Sequence, residues 1–191
     1  FFDNLKDEEI EIIASISAVS KYNGKSILYY ESEVNKNLLF LVDGLIKIYK
    51  IDKFGNEIFL YHIYKNSMIS ELSSIKTNDI YCFSNAEFIE DSVILSVNFE
   101  KLHEHFLSKN ILTTELIEIL LDKTHQLQCI VNRELVFDAT AKVAFMINQD
   151  LAMFNKLKRQ EVSFMLHIQP ETLSRVLKKL SRDEIISIEN S

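Results

Sequence analysis

Apolar residues recur at two different periods along this chain, and the change from one to the other divides it. Residues 4–16, NLKDEEIEIIASI, set Leu5, Ile12, Ile13 and Ile16 on one side, with Glu8 and Glu9 near the start. That pattern predicts a short opening helix. From Val19 to Val97 the pattern becomes short strands. They are expected at Ser26 to Tyr30, Leu38 to Leu41, Leu45 to Ile51, Glu57 to Tyr64, Ile80 to Phe83, Ala86 to Ile89 and Ser92 to Ser96. Asp43-Gly44 is a strong hairpin signal, and Asp52-Lys53-Phe54-Gly55-Asn56 marks a second turn. Short strands with a turn every 8–12 residues predict an antiparallel sandwich or barrel.

Helical spacing takes over at Asn98, which is placed to cap a short helix ending at Phe106. A long helix is predicted over Leu112 to Phe137, with two apolar stripes alternating +4 and +3. The first reads Leu116, Leu120, Lys123, Leu127, Ile130, Glu134, Phe137; the second reads Ile117, Leu121, Thr124, Gln128, Val131, Leu135. This is coiled-coil spacing, and a helix with two such seams must bury both. One seam is expected against the chain's own β-layers and the other against a symmetry mate. The polar interruptions Lys123 and Gln128 suit a dimer interface, and we assign the first stripe to it. Asp138 is placed to cap a further helix, Ala139 to Phe154, so Phe137-Asp138 reads as a hinge.

The segment Lys158 to Ser187 reads as two short helices joined by a tight turn. Val162, Met165 and Leu166 form one apolar stripe, and Leu173, Val176, Leu177 and Leu180 form the other. Pro170 falls at a helical first turn, where its missing N–H costs nothing, behind Gln169 or Ile168 as cap. The polar face of the second helix carries Glu171, Ser174, Arg175, Lys178 and Lys179. A helix-turn-helix presents such side chains to the major groove from the front of its second helix.

Charge strengthens that picture. The chain as a whole is at −7, yet residues 155–182 hold seven basic and two acidic side chains, a local excess of +5. A basic module on an acidic body is the footprint of a domain that meets phosphate. Composition adds exclusions. With 47% hydrophobic and 26% charged residues the make-up is globular. No run of 18 apolar residues exists, so no transmembrane helix and no membrane partner are expected. Cys82 and Cys129 lie far apart, which fits a reducing cytoplasm and supports neither a zinc site nor an iron–sulfur cluster. No signal peptide is visible, and the chain does not begin with Met, consistent with a missing N-terminal piece.

At ETLSRVLKKL, residues 171–180, the chain resembles the winged helix-turn-helix of the cyclic-AMP receptor protein/FNR (CRP/FNR) family of bacterial transcription regulators. The order FLVDGLIKIYK, FGNEIFLYHI, SEL and DSVILSVNFEKL is similar to that family's β-roll sensor domain, with Gly24 and Gly44 on its turn glycines. The resemblance implies an α+β chain. Residues 1–110 would be a cyclic-nucleotide-binding-like antiparallel β-roll, 111–137 a dimerisation helix and 138–191 the DNA-binding domain. Because the wing hairpin would follow Ile185 to Ile188, the C-terminus is expected to be cut short. The resemblance also implies a homodimeric, cytoplasmic activator that works with RNA polymerase on double-stranded DNA. Glu171, Ser174 and Arg175 would read bases beside Pro170, with Lys158, Arg159, Gln160, Lys178 and Lys179 near the phosphates. The Glu171-x-x-Ser174-Arg175 pattern looks like the FNR branch, which reads TTGAT-like half-sites; the cyclic-AMP receptor branch has arginine where Pro170 stands. One departure is His167, where the family usually has a turn glycine.

The effector is less legible. Cyclic-nucleotide members cradle phosphate with Gly-Glu-Leu and a later Arg-Ser. This chain has Ser70-Glu71-Leu72 and then Tyr81-Cys82 or Cys82-Phe83, and no arginine anywhere between Phe1 and Asn132. That argues against cyclic AMP. The expected effector pocket, at the junction of β-roll and long helix, comprises Glu71, Leu72, Tyr81, Cys82, Thr124 and Gln128. Haem stays open as a cofactor, although His62, His103, His105, His125 and His167 form no pair at metal-ligand spacing. A thiol sensor at Cys82 or Cys129 is a third candidate. Two other readings remain: a constitutive DNA-binding regulator without a ligand, and a cupin-like metalloenzyme. The enzyme reading fails on ligand count, because His62 is the one histidine of the strand region. No catalytic or metal-binding residue is therefore expected.

Overall fold

The structure, a computed structural model, describes residues 1–188 and divides the chain into two compact units, Phe1–His125 and one beginning at Gln126. The first unit opens with α1 (Asp7–Ser15) and continues into β1 (Ser17–Tyr22), β2 (Ile27–Tyr29), β3 (Val34–Asn35), β4 (Asn37–Asp43), β5 (Leu45–Ile51) and β6 (Glu57–Tyr64). The strands end with β7 (Ser67–Met68), β8 (Ile80–Tyr81), β9 (Asn85–Phe88) and β10 (Ser92–Asn98). Two four-stranded antiparallel sheets result, in the orders β1-β10-β4-β7 and β2-β9-β5-β6, and β3 pairs with β8 alone. This is the layered antiparallel arrangement that the spacing of turns predicts, and the β-roll that the resemblance implies.

Strand β4 shows why the roll holds together. Its run Leu38-Leu39-Phe40-Leu41 is apolar on both faces, because successive side chains point to opposite sides. Leu39 and Leu41 enter the core between the sheets with Ile46, Ile48, Phe88 and Ile94. Leu38 and Phe40 turn the other way, onto α1, α2 (Phe99–His105) and the start of α3 (Thr113–Leu135), where they meet Phe99, Leu102, Phe106 and Leu116. At the Asp43-Gly44 corner, Gly44 has φ +103°, and a Cβ there would overlap Ser92.

The second unit holds the end of α3, then α4 (Ala139–Gln149), α5 (Leu151–Lys156), α6 (Arg159–Met165) and α7 (Pro170–Arg182). Val143, Val162, Leu166, Leu173, Val176, Leu177 and Leu180 form its buried core. These are the two stripes read from the sequence, less the half-buried Met165, closed by one residue of α4.

Several boundaries differ from expectation. The helix expected over Ala139 to Phe154 is two helices, because extended Asp150 interrupts it and caps α5 by accepting from the Met153 N–H at 2.8 Å. The opening helix begins only at Asp7, where the Glu9 carboxylate accepts from the Lys6 N–H. The long helix stops at Leu135, where Asn132 O accepts from the N–H groups of both Val136 and Phe137. Strands β1, β3 and β7 were not expected: β1 is half polar and mostly exposed, and the other two are two residues long. The caps at Asn98 and Asp138 are as expected, accepting from the N–H groups of Lys101 and Ala141. A wing hairpin after Ile188 lies outside the described residues.

Candidate nucleic-acid interface and sensor interior

Helix α7 has one apolar and one basic face. Leu173, Val176, Leu177 and Leu180 are buried, while Glu171, Arg175, Lys178 and Lys179 are exposed and Ser174 is half-buried. Pro170 occupies the first turn behind Gln169 as N-cap. Arg159, Pro170, Glu171, Ser174, Arg175, Lys178, Lys179 and Arg182 line one open groove. The structure thus brings together all four expected base readers with Arg159, Lys178 and Lys179. It adds Arg182, which the charge count included but the site reading omitted. Lys158 and Gln160 are exposed at the start of α6 but do not line the groove. Five of the eight lining side chains are cationic, so the groove suits a polyanion.

The turn between α6 and α7 is anchored from behind. His167 adopts φ +52°, the left-handed conformation expected for this glycine position. Its Nδ1 lies 2.8 Å from Glu134 Oε2. A carboxylate can only accept, so Nδ1 carries the proton of this bond. Glu134 Oε1 accepts from Arg133 Nε at 2.7 Å, and Lys142 Nζ stands 3.5 Å from Oε2. Lys142, buried, also donates to the carbonyl of Leu166, the C-cap residue of α6, at 3.2 Å. Partial burial pushes the Glu134 carboxyl up, but the bonds from His167 and Arg133 outweigh it and hold it below its usual range. The heptad spacing places Glu134 in the dimer seam, whereas its carboxylate is engaged with its own chain.

The two seams of α3 exchange roles over the first unit. Leu116 is buried in the roll core, Leu120 packs against it, and Lys123 Nζ reaches the Ile69 carbonyl at 3.4 Å. These three belong to their own roll and cannot also face a partner. Ile117 and Leu121 of the other stripe are 52% and 63% exposed, and in the second unit Val131 and Leu135 are exposed too. Of the first stripe, Leu127 is exposed, and Ile130 and Phe137 are half-buried; Phe137 meets the Phe145 ring edge-on. Spacing of +4/+3 fits both stripes equally, so the sequence alone could not tell which of them the roll takes.

Inside the roll, the Glu71 carboxylate is saturated. Its oxygens accept from Ser84 Oγ at 2.9 and 3.0 Å, from the Phe83 N–H at 3.0 Å and from Tyr61 O–H at 3.2 Å. Burial pushes the Lys123 ammonium down to about 8, against the opposing pull of Glu71. Burial and then the carboxylates of Glu33 and Glu71 push the Cys82 thiol up to about 11, which makes it a poor thiolate. Leu72 joins the roll's helix-side core. Tyr81 and Thr124 point outward, Thr124 donating to Leu120 O, and Gln128 is exposed in the second unit. Of the five expected pocket residues in the first unit, Glu71, Leu72 and Cys82 are therefore turned inward while Tyr81 and Thr124 are exposed. The reading missed Tyr61, Ser84 and Lys123; Lys123, a lone lysine within an apolar stripe, was the available signal. Among the described residues no group of three His, Cys, Asp or Glu side chains is placed to hold a metal ion. None of the described helices is long and apolar enough to cross a membrane.

No family model matches the chain. It is 23% identical to the anaerobic regulatory protein of Bacillus subtilis (strain 168), over 99% of this chain and 84% of that one. A solved CooA mutant from Carboxydothermus hydrogenoformans matches with TM-score 0.74 at 17% identity, covering 98% of this chain and 85% of the other. The c-di-GMP responsive global regulator CLP of Xanthomonas campestris matches with TM-score 0.70 at 16% identity, covering 97% and 96%.

Proposed function

We propose, from the CRP/FNR regulator fold that this chain carries, that it is a homodimeric, sequence-specific DNA-binding transcription regulator. The observation that carries the reading is the groove on α6 and α7, where Arg175, Glu171 and Ser174 stand among cations while the opposite face of α7 is buried. Glu171 suits the amino donor of cytosine, and Arg175 suits the two acceptors of guanine. Pro170 offers no donor and can only pack, with Ser174, against a thymine methyl. By the resemblance of Glu171-x-x-Ser174-Arg175 to the FNR branch, the half-sites are TTGAT-like. They form an inverted repeat one helical turn apart, because the two recognition helices are related by a two-fold axis.

The dimer surface is the exposed stripe of α3, Ile117, Leu121, Val131 and Leu135, with Leu127 beside it. A row of large apolar side chains on one helix calls for a partner, and a second copy of the same helix supplies coiled-coil complementarity. Binding selection on random DNA tests the whole reading. Enrichment of a dyad with a G·C pair in each half-site is the expected result, and a motif without dyad symmetry overturns it.

A constitutive regulator is the second reading, and the saturation of Glu71 favours it. A carboxylate whose oxygens already accept from Ser84, Phe83 and Tyr61 has little left to offer a ligand. If an organic effector binds this interior, it displaces those donors or uses Lys123. A thermal-shift screen of the purified protein against small anions separates the readings: stabilisation lost on Lys123→Met supports control by an effector.

A further inference from the structure

We propose that Glu134 and His167 are positioning residues for DNA reading: their bond fixes the turn that aims α7. The inference rests on the DNA-binding reading above. The turn joining α6 to α7 sets the angle between the helix that lies near phosphate and the helix that reads bases. In this chain a side chain stands at the turn position, and its imidazole reaches Glu134 Oε2 at 2.8 Å. The same carboxylate gathers Arg133 and Lys142, and Lys142 takes the carbonyl of Leu166 at the end of α6. Both flanks of the turn are thereby tied to one carboxylate, directly through His167 and indirectly through Lys142. Main-chain bonds from His167 to Phe164 O and from Ile168 to Ser163 O close the turn itself but reach nothing outside α6.

A histidine at φ +52° is strained, and a glycine there would not be. The strain is retained together with a contact that only a side chain can make. A helix-turn-helix that needed only a turn would do better with glycine. The geometry therefore separates two roles that are usually confounded: holding the fold together and aiming the reading helix.

His167→Gly and Glu134→Gln in the full chain test this. Removing the strain should leave the melting temperature of His167→Gly unchanged or higher. Its preference for the selected dyad over scrambled DNA should nevertheless fall about tenfold to a hundredfold, the worth of one hydrogen bond to a charged group. Glu134→Gln should lose a similar factor, and the double variant should lose no more than the larger single loss, because both remove one interaction. Unchanged discrimination in both single variants, or additive losses in the double, overturns the inference while leaving the DNA-binding reading intact. If the unmutated chain selects no DNA, that reading fails, and hydrogen exchange decides the inference alone. Glu134→Gln should then speed exchange of the His167 and Ile168 amides by a similar factor, and unaltered exchange overturns it.

Discussion

The groove on α7 and the interior around Glu71 are both polar, and they are built on opposite plans. On α7 the cations stand outward with few partners of their own, and the buried face supplies all the packing. Around Glu71 each donor is spent within the chain, and the one cation there, Lys123, is held mostly out of water. A site awaiting a polyanion keeps its charges solvated and displayed, because desolvating them in advance would cost several kcal/mol each. A site whose partners are already internal gains rigidity and loses receptiveness. The recognition surface is thus the receptive one, and the roll interior is close to self-sufficient.

The largest effect that would test this contrast lies on α3. Leu121→Asp puts a charge on the exposed stripe, and it should give a monomeric scattering mass and weaken dyad binding at least about a hundredfold, the order expected when a charge meets an apolar interface. Leu116→Ala, five residues away on the other stripe, should leave the mass dimeric and lower unfolding stability by roughly 2–4 kcal/mol, because it hollows the roll core. If the two variants swap phenotypes, the assignment of the faces of α3 is reversed. On the groove, Arg175→Ala should cost roughly 1–3 kcal/mol per half-site and relax preference at its guanine. Arg159→Ala should weaken matched and scrambled DNA alike and reduce the salt slope by about one unit.

In the roll interior, Lys123→Met should stabilise the fold by roughly 2–3 kcal/mol at neutral pH, since one pKa unit is worth about 1.4 kcal/mol and the ammonium is depressed to about 8. The sign follows from proton counting. Between about pH 8 and the ordinary lysine range the unfolded chain binds the proton at this position and the folded chain releases it, so stability rises with pH there. Denaturant titrations across that window should show the rise in the unmutated protein and its absence in Lys123→Met. A flat profile in both would mean that the ammonium is solvated.

The two regions also differ in how far sequence could reveal them. Helix α7 was legible nearly to the residue, because its stripe, its proline and its charges are local and agree with one another. The β-roll was legible as alternating strands, yet β1 escaped because it lies at a sheet edge and carries too few apolar residues to alternate. The tie between His167 and Glu134 spans 33 positions, and no periodicity connects them. The saturation of Glu71 needs Tyr61 and Ser84, 10 and 13 residues away, folded over it from separate strands and loops. Local chemistry reads from sequence; which partner a buried charge finds does not.

The smallest expected effect is a null, and it bears on the contrast most directly. Cyclic AMP and cyclic GMP should neither raise the melting temperature nor change DNA affinity. A cyclic phosphate needs a bidentate or strongly cationic partner, and the first 132 residues contain no arginine. The carboxylate of Glu71 would repel the phosphate, and its saturating donors would have to be surrendered first. Among the described residues Lys123 is the cation recorded beside Glu71, and reaching it requires burying a phosphate against that carboxylate. Titration calorimetry at millimolar nucleotide checks this. Binding at micromolar affinity would show that the interior opens at small cost, and the account of a self-sufficient roll interior would fall even with the α7 groove intact. Loss of that binding in Lys123→Met would then identify the cation that a nucleotide recruits.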